Sequence, residues 1–447
     1  MNNLDEQLDL KAYFKSLPHP ADITEYLEQV QLSEWPKLLR LIEDSEKRAQ
    51  VVAEIDETKW KDLLAQLQPE EIAELIREME SDDAADIIAK LPLSSRYETL
   101  YRLPAPERHQ VLELLGYPED SAGGIMQIEL ARVRDNALVS DAIIKVRELV
   151  EDDVEVLAVW VVDANDCLVG SVDLADLLIH KSTQVIRTLI KKDIICVRPL
   201  IDQKEVAQLF RKYDLLTLPV VDDENHLIGR IAIDDVVDVL TEEAEEEALR
   251  MAGTSAEELE HPEQVFSTAR IRLPWLAVAL FCSLISASLL RLFQPLLEQM
   301  VVIYAFLPVI MAMGGNVGTQ SSTILIRGLA TGKADLSDIP RMLFKEIRVG
   351  LIMGLFYGAC AGLVATFVLS PQNYTLGFVV LISMVIAMIT AAALGVLAPA
   401  LLKRLDVDPA IAAGPFVTTL NDITGILIYI LTSQLFSYSL HNTSTKV

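Results

Sequence analysis

Between Arg348 and Lys403 lie 54 consecutive residues without Asp, Glu, Lys or Arg. A hydrocarbon core of ~30 Å is crossed by about 20 helical residues. The stretch is therefore too long for one crossing, and Ser370-Pro371-Gln372-Asn373-Tyr374 divides it in two. Three further stretches have the required length: Pro274 to Phe293, the charge-free interval between Glu298 and Arg327, and Pro409 to Phe436. Residues 273–447 are thus expected to form an α-helical membrane domain of five spans. A chain that is 51% hydrophobic yet carries a formal charge of -27 must keep its apolar and charged residues apart. It does: from Leu273 onward seven acids accompany nine bases, whereas residues 1–272 hold 58 acids and 29 bases, a net charge of -29. That first part reads as a soluble acidic polypeptide, which repels nucleic acid and anionic headgroups and attracts cations.

The basic residues set an orientation. Arg270 and Arg272 precede the first span; Arg327, Lys333, Arg341, Lys345 and Arg348 lie between the second and third; Lys403 and Arg404 lie between the fourth and fifth. The connections after spans one and three have no Lys or Arg. The N-terminal part is therefore expected in the cytosol and the C-terminal tail outside, with Arg291 and Lys446 as the two exceptions. Met1 to Leu10 contains no apolar run, so no cleaved signal is expected there. Cys167, Cys196, Cys282 and Cys360 share no ligand-like spacing, which points to a reducing compartment and no structural zinc.

Asp422 lies at the middle of the fifth span as its only charged residue. A carboxylate at the bilayer centre costs ~2.5–3.5 kcal/mol on insertion scales, so it must face a partner or a wet cavity. The readings are an ion pathway or a protonated Asp satisfied by a neighbouring helix. Within the second apolar stretch, the segment from Pro308 to Gln320 carries Gly314, Gly315 and Gly318 beside Asn316, Thr319 and Gln320, followed by Ser321 and Ser322. Gly414, Pro415, Thr418, Thr419, Asn421 and Gly425 repeat the theme around Asp422. Such residues suit either close helix packing or a lined pore, because irregular backbone survives at membrane depth only where it lines a cavity or is buried in protein. One carboxylate among amides and hydroxyls suits a hard cation that keeps most of its water, as Mg²⁺ does. Mn²⁺, Co²⁺ and Ca²⁺ remain open. No nucleophile–base pair or phosphate-binding loop is present, and no enzyme is expected.

In the soluble part, Val161-Val162-Asp163, Leu168-Val169-Gly170 and Asp176 recur 59 residues later as Val220-Val221-Asp222, Leu227-Ile228-Gly229 and Asp235. Each copy reads strand, polar turn, strand, helix, and is preceded by an amphipathic helix. This tandem α/β repeat resembles a pair of CBS domains packed as one Bateman module. Such pairs often bind adenine nucleotides, which leaves ATP as an open ligand beside a structural or metal-sensing role. Residues 1–120 read as short helices punctuated by Pro69, Pro92, Pro104 and Pro118, an all-α superhelical stack, with carboxylates at Asp82, Asp83 and Asp86. An acidic run, Glu242 to Glu247, leads toward the first span.

The order of parts resembles the MgtE magnesium channels of bacteria over essentially the whole chain. The specific matches are Gly314-Gly315-Asn316 with Gln320, Asp408-Pro409-Ala410, Thr419 to Gly425, and the Ser121 to Met126 junction. The resemblance implies an acidic helical N-domain at 1–120, CBS domains at 121–184 and 185–246, a connecting helix at 247–272 and the five-helix domain at 273–447. It further implies a homodimer in the bacterial inner membrane that takes up Mg²⁺ through a pore lined by helices two and five. Asp422 would bind hydrated Mg²⁺, with Asn421, Asn316 and Thr418 beside it and Asp408 at the cytoplasmic mouth. Cytosolic Mg²⁺ among carboxylates such as Asp82, Asp86, Asp238, Glu246 and Glu247 would close the pore. The alternatives are a proton- or Na⁺-coupled divalent-cation transporter and a nucleotide-regulated membrane receptor.

Overall fold

The computed structural model describes residues 10–17, 19–151, 154–255, 258, 265–294, 305–331, 333–369, 374–405, 407–412 and 414–444. Residues 370–373, which divide the long apolar stretch, lie outside the described residues, as does the beginning of the second apolar stretch at 299–304. The chain separates into two compact units, Met1–Glu243 and Ala244–Val447.

After a helical stretch at 10–16, the described residues of the first unit continue with short helices α1 (Pro20–Glu28), α2 (Trp35–Leu39), α3 (Ser45–Ala53), α4 (Glu57–Leu64), α5 (Pro69–Ile76), α6 (Ser81–Lys90), α7 (Leu93–Arg102) and α8 (Ala105–Leu114). Their starts follow from local chemistry. Asp44 accepts from Lys47 N ahead of α3, and Asp56 accepts from Thr58 N at 2.9 Å ahead of α4. Pro69 fills the first position of α5, where Gln68 and Glu71 form a capping box. Each helix is too short to bury its apolar face alone, and packing runs to the next helix but one: α1 on α3, α3 on α5, α5 on α7, α4 on α6 and α6 on α8. That is the stacking rule of a superhelix. Trp35 and Trp60 sit in its core and donate their indole N–H groups to Val30 O and Val52 O.

The repeat follows. β1 (Ala131–Arg134) pairs in parallel with β2 (Ala158–Val162), which pairs antiparallel with β3 (Leu168–Asp173), with α9 (Val139–Glu151) between β1 and β2 and α10 (Leu174–Ile179) after β3. The second copy has α11 (Gln203–Tyr213) and the antiparallel pair β4 (Thr217–Val221) and β5 (Leu227–Ala232), with Val197 bridging in parallel to Val220 in the place of β1. The repeated Asp builds the turn in each copy. Asp163 Oδ1 accepts from the amides of Asn165 and Cys167, and Asp222 Oδ1 from those of Glu224 and His226. Asp166 and Asn225 then adopt left-handed backbone, φ 63° and 68°, a conformation these two residue types tolerate. The turns dock on each other, Leu168 N donating to Asn225 O and Leu227 N to Asp166 O. The repeated glycines mark close backbone crossings: a Cβ at Gly170 would lie 2.3 Å from Lys191 O, and one at Gly229 would lie 2.9 Å from Gln127 O.

α12 (Ile233–Ala252) leaves the second copy, and its last turns belong to the second unit. The second unit then holds α13 (Val265–Leu292), α14 (Leu307–Ala330), α15 (Ile339–Val364, continued by a π-helical turn Ala365–Leu369), α16 (Tyr374–Arg404) and α17 (Pro415–Ser444). The segment expected to connect into the first span is, from Val265, already α13. The fifth stretch opens not as α-helix at Pro409 but as a 3₁₀ turn, Pro409–Ala412, with α17 starting at Pro415. Among the described residues four helices are long and apolar enough to cross a membrane: Val265–Leu292, Leu336–Val368, Tyr374–Arg404 and Phe416–Phe436. α14, at 24 residues, spans about 36 Å at 1.5 Å per residue. It falls short on polarity, not on length, because of its Gly, Asn, Gln, Thr and Ser content.

Glycine decides how these helices meet. Gly350, Gly354, Gly358 and Gly362 form a stripe on α15, and a Cβ on any of them would fall within 2.6–2.9 Å of α16 backbone. Close approach of this kind replaces hydrophobic burial as the packing force in lipid. Gly354→Leu should therefore lower the apparent melting temperature of the detergent-solubilised protein, overpacking costing about 1–3 kcal/mol or more. Gly425→Ala, whose new methyl would meet Ile310 Cγ2 at 3.9 Å, should melt like the parent. Equal melting of both variants would contradict the packing seen here.

Candidate functional site

Two places concentrate polar chemistry, one in each unit. In the second unit α14 carries an exposed polar stripe, Asn316, Gln320, Thr323 and Arg327, at the i, i+4, i+7, i+11 spacing of one helix face. On α17, Thr418 is exposed and Asp422, one turn on, is half-buried. Gly315 lets the two helices touch here, its position lying 3.4 Å from Thr418 Cγ2 for an added Cβ. Asn316, Thr418 and Asp422 thus lie on adjoining helices with polar groups open to the outside of the single chain.

Asn421 does something else. It is only 2% exposed, and Gly318 leaves it room: a Cβ there would fall 1.9 Å from Asn421 Nδ2. Its Nδ2 approaches Gly314 O at 3.4 Å while Oδ1 is buried without a partner. The structure makes Asn421 a wedge between α14 and α17 rather than a neighbour of Asp422 on the exposed face. Gly395 of α16 closes on the same point, an added Cβ lying 2.4 Å from Gly318 O. Sequence reasoning passed over Glu346 of α15, which is buried and accepts from Ser321 Oγ at 2.8 Å, bracing α14 from behind.

Asp408 is engaged. Its Oδ1 accepts from Ala410 N at 2.8 Å, which shapes the 3₁₀ turn, and its Oδ2 pairs with Arg250 of α12 at 2.8 Å. Arg250 also holds Glu246, and Glu247 pairs with Arg327 of α14 at 2.9 Å. Glu246 and Glu247, expected as metal ligands, are thus bound to arginines of their own unit.

In the first unit the carboxylates of α6 and of the start of α12 come together, although some 150 residues separate them. Asp82 is only 6% exposed, and its Oδ1 has no hydrogen-bond partner. Burial, then the charges of Asp235, Asp83 and Glu80, hold its carboxyl well above the ordinary range. Burial followed by Glu80, Asp234 and Asp238 pushes Asp83 up to about 7. Burial followed by Glu57 and Asp83 pushes Asp86 up to about 8. Asp235 rises well above its usual value by burial and the neighbouring Asp234. Asp238 is raised by partial burial and by Glu54. Of the sequence candidates, Asp82, Asp86 and Asp238 therefore fall in one cluster. Glu54 and Glu57 join it through tertiary contact, while Glu80 and Asp235 flank Asp82 and Asp238 in the chain. All donors are hard oxygens, and one buried oxygen is unpartnered, which fits a hydrated Mg²⁺.

A further group, Asp222, Glu224 and His226, has ligand atoms within 4.8 Å of one another. Asp222 already uses one oxygen for its turn and the other for His226 Nδ1 at 2.8 Å.

The second unit is a bundle of long apolar helices with a half-buried carboxylate, and the first combines an acidic helical stack with a tandem α/β repeat. Family models match at residues 18–120 (MgtE intracellular N domain), 186–242 (CBS domain) and 307–432 (MgtE, divalent cation transporter). The chain is 36% identical over 325 residues to the magnesium transporter MgtE of Bacillus subtilis, covering 72% of this chain and 71% of that protein. It is 35% identical over 327 residues to the magnesium transporter MgtE of Thermus thermophilus, covering 71% and 70%. A crystal structure of the soluble part of a magnesium transporter superposes with a TM-score of 0.50 at 28% identity, covering 54% of this chain and 94% of that one. The chain belongs to the MgtE family of magnesium transporters, whose members transport ions and are not enzymes.

The raised carboxyls fix the sign of a pH effect. Asp83 and Asp86 have folded-state values near 7 and 8, above their ordinary value of 3.8. Between about pH 4 and pH 8 the folded state binds more protons than the unfolded one, so stability falls as pH rises through that window. In chelator, α6 amides should show higher protection, relative to their intrinsic exchange at each pH, at pH 5.5 than at pH 8. Added Mg²⁺ should raise that protection strongly at pH 8 and little at pH 5.5. A flat profile in chelator would show that these carboxyls titrate normally.

Proposed function

We propose that the chain is a Mg²⁺-selective channel of the bacterial inner membrane, working as a homodimer and closed by Mg²⁺ bound to its acidic first unit. The observation that carries this reading is the polar face of α14 and α17, with Asn316, Gln320, Thr323, Thr418 and Asp422 left open by the single chain. Polar groups at membrane depth need a partner or water. A second copy turned face to face would enclose them around an aqueous path, with α14 as a fifth span. The N-terminal unit then lies in the cytosol and the C-terminus outside, in keeping with the basic connections. In the pore two Asp422 carboxylates would hold an ion that keeps its water shell, with Asn316 and Thr418 as outer hydrogen-bonding groups.

The acidic cluster supplies the closing force. Moving a gate from about 1:99 to 99:1 requires ~5.5 kcal/mol of differential binding. One site at a hundred times its dissociation constant gives only ~2.7 kcal/mol. A spread of carboxylates provides the several weak sites that are needed, and closure should be steep in Mg²⁺. Within the second unit, Arg250 ties the end of α12 to Asp408 ahead of α17, a short route from that helix to the pore. The CBS pair adds ATP to the proposal as a modulator. Saturable heat on titrating ATP into the full-length protein checks that part.

Asp422→Ala should abolish Mg²⁺ flux into proteoliposomes, and Asp422→Asn should lose most of it while the protein still folds and dimerises. Flux through Asp422→Ala at the parental rate would remove Asp422 from the pathway. Current reversing at the Mg²⁺ equilibrium potential, independent of pH and Na⁺, is the result expected of a channel rather than a coupled carrier.

A further inference from the structure

Arg230, on β5, is the cation most deeply set in the carboxylate cluster. It is exposed at only 4%. Its backbone is fixed by a reciprocal pair of bonds with Gln127, Gln127 N to Arg230 O at 2.7 Å and Arg230 N to Gln127 O at 2.9 Å. Its Nε donates to the backbone oxygen of Glu129 at 2.8 Å. Its nearest carboxylate is Glu80, 4.0 Å from Nη2 and so beyond hydrogen-bond reach, and Nη1 is buried without a partner. A guanidinium ordinarily satisfies a carboxylate through two parallel bonds; this one is held short of doing so. Lys90, at the Asp86 end of the cluster, makes by contrast a direct pair with Glu57 at 3.1 Å.

The carboxylates near Arg230 are connected to it indirectly. Gln127 Nε2 donates to Glu80 Oε2 at 2.7 Å and lies 3.4 Å from Asp235 Oδ2. Asp235 in turn is one of the charges felt by Asp82. Ser81 Oγ bonds Glu129 Oε2 at 2.6 Å, which leaves Glu129 facing the same region. The guanidinium therefore adds a fixed positive charge 4.0 Å from Glu80, whose own charge is felt by Asp82 and Asp235, without occupying the lone pairs of these carboxylates. A buried arginine cannot be deprotonated away, so this charge is present at every Mg²⁺ concentration.

We propose that Arg230 is a tethered cation that partly takes the electrostatic place of Mg²⁺ in this cluster, and so sets the concentration at which Mg²⁺ acts. The proposal rests on the reading of the cluster as a Mg²⁺ sensor. Its physical content is competition through the field. Arg230 relieves enough carboxylate repulsion for the unit to stay assembled without metal, and it repels each Mg²⁺ that enters. It cannot finish the task, because a planar fork anchored to Glu129 O does not reach the unpartnered Asp82 Oδ1 or bridge carboxylates from two helices. Affinity is thereby pushed down to the range in which cellular free Mg²⁺ varies.

The test uses full-length protein in detergent, with hydrogen-exchange protection of α6 and the start of α12 followed against Mg²⁺ at constant ionic strength held by K⁺. Arg230→Met should lower the Mg²⁺ midpoint about tenfold, the order expected for removing one unit charge a few ångströms away at an effective dielectric of about 20, softened by water. Its protection without Mg²⁺ should be weaker than the parent's. Arg230→Lys should stay within about threefold of the parent, because the charge remains. Gln127→Lys places a second tethered cation between Glu80 and Asp235, and should raise the midpoint about tenfold. A parent that shows no Mg²⁺-dependent protection would sink the sensor reading itself. A parent that titrates, with the Arg230→Met midpoint unchanged or raised, would overturn the role of Arg230 alone. Should Arg230→Met fail to fold, Gln127→Lys decides, and an unchanged or lowered midpoint there overturns the proposal.

Discussion

Repulsion between carboxylates governs the first unit. Two unit charges 4 Å apart interact by ~1 kcal/mol even at the dielectric of water, and by about 4 kcal/mol at an effective value of 20. Asp82, Asp83, Asp86 and Asp235 sit in partly or fully buried positions where the second figure is the nearer one. The hydrophobic core of the helical stack and the second repeat, running from Ile23 and Trp35 to Val236 and Val239, supplies the cohesion that holds them there. The unit is thus assembled by apolar burial against an electrostatic load. Anything that removes that load, whether protons or a divalent ion, tightens it. The raised carboxyls and the orphaned Asp82 Oδ1 are two expressions of one imbalance.

The second unit settles a different conflict, between polar function and a lipid surround. Its solution is to let backbones meet. At Gly318 three helices converge: Asn421 of α17 fills the space that a side chain would take, and Gly395 of α16 admits the carbonyl of Gly318. Glu346 and Ser321 add a buried hydrogen bond behind α14. The polar face of α14 is therefore presented by a helix fixed on its rear side, which gives Asn316 and Gln320 defined positions.

Local chemistry made much of this legible in advance. The duplicated Asp of Val161-Val162-Asp163 and Val220-Val221-Asp222 announces a turn because a short carboxylate caps the amides that follow, and both copies do so. The repeated Gly170 and Gly229 belong to that pattern, and the structure supplies the reason for them, a close backbone crossing in each copy. Asp422 stood out because a lone carboxylate in an apolar helix has few explanations. What stayed hidden depends on distance in the chain. No periodicity tells that Glu80 and Asp83 will face Asp234 and Asp235, since the docking of α6 on the second repeat is a tertiary event. The arginine partners of Glu246 and Glu247 were hidden likewise, and the acidic run looked like free ligands. Asn421 is next to Asp422 in the chain, yet a step of one residue turns about 100° around a helix and carries it to the buried face.

The polarity of α14 has a consequence for how the chain is made. On the five-span reading, α14 reaches the bilayer before α15 and α16 have been synthesised, yet its Asn, Gln, Ser and Thr content makes it a poor candidate for partitioning alone. The helices that shelter its buried side, through Gly318 and Gly395 and through Ser321 and Glu346, emerge later. During synthesis α14 must wait in the insertion machinery, or at the lipid boundary, until its neighbours arrive. Biogenesis of the membrane unit is then cooperative across helices rather than sequential, and a substitution that loosens α16 against α14 would surface as a topology defect before any ion is carried.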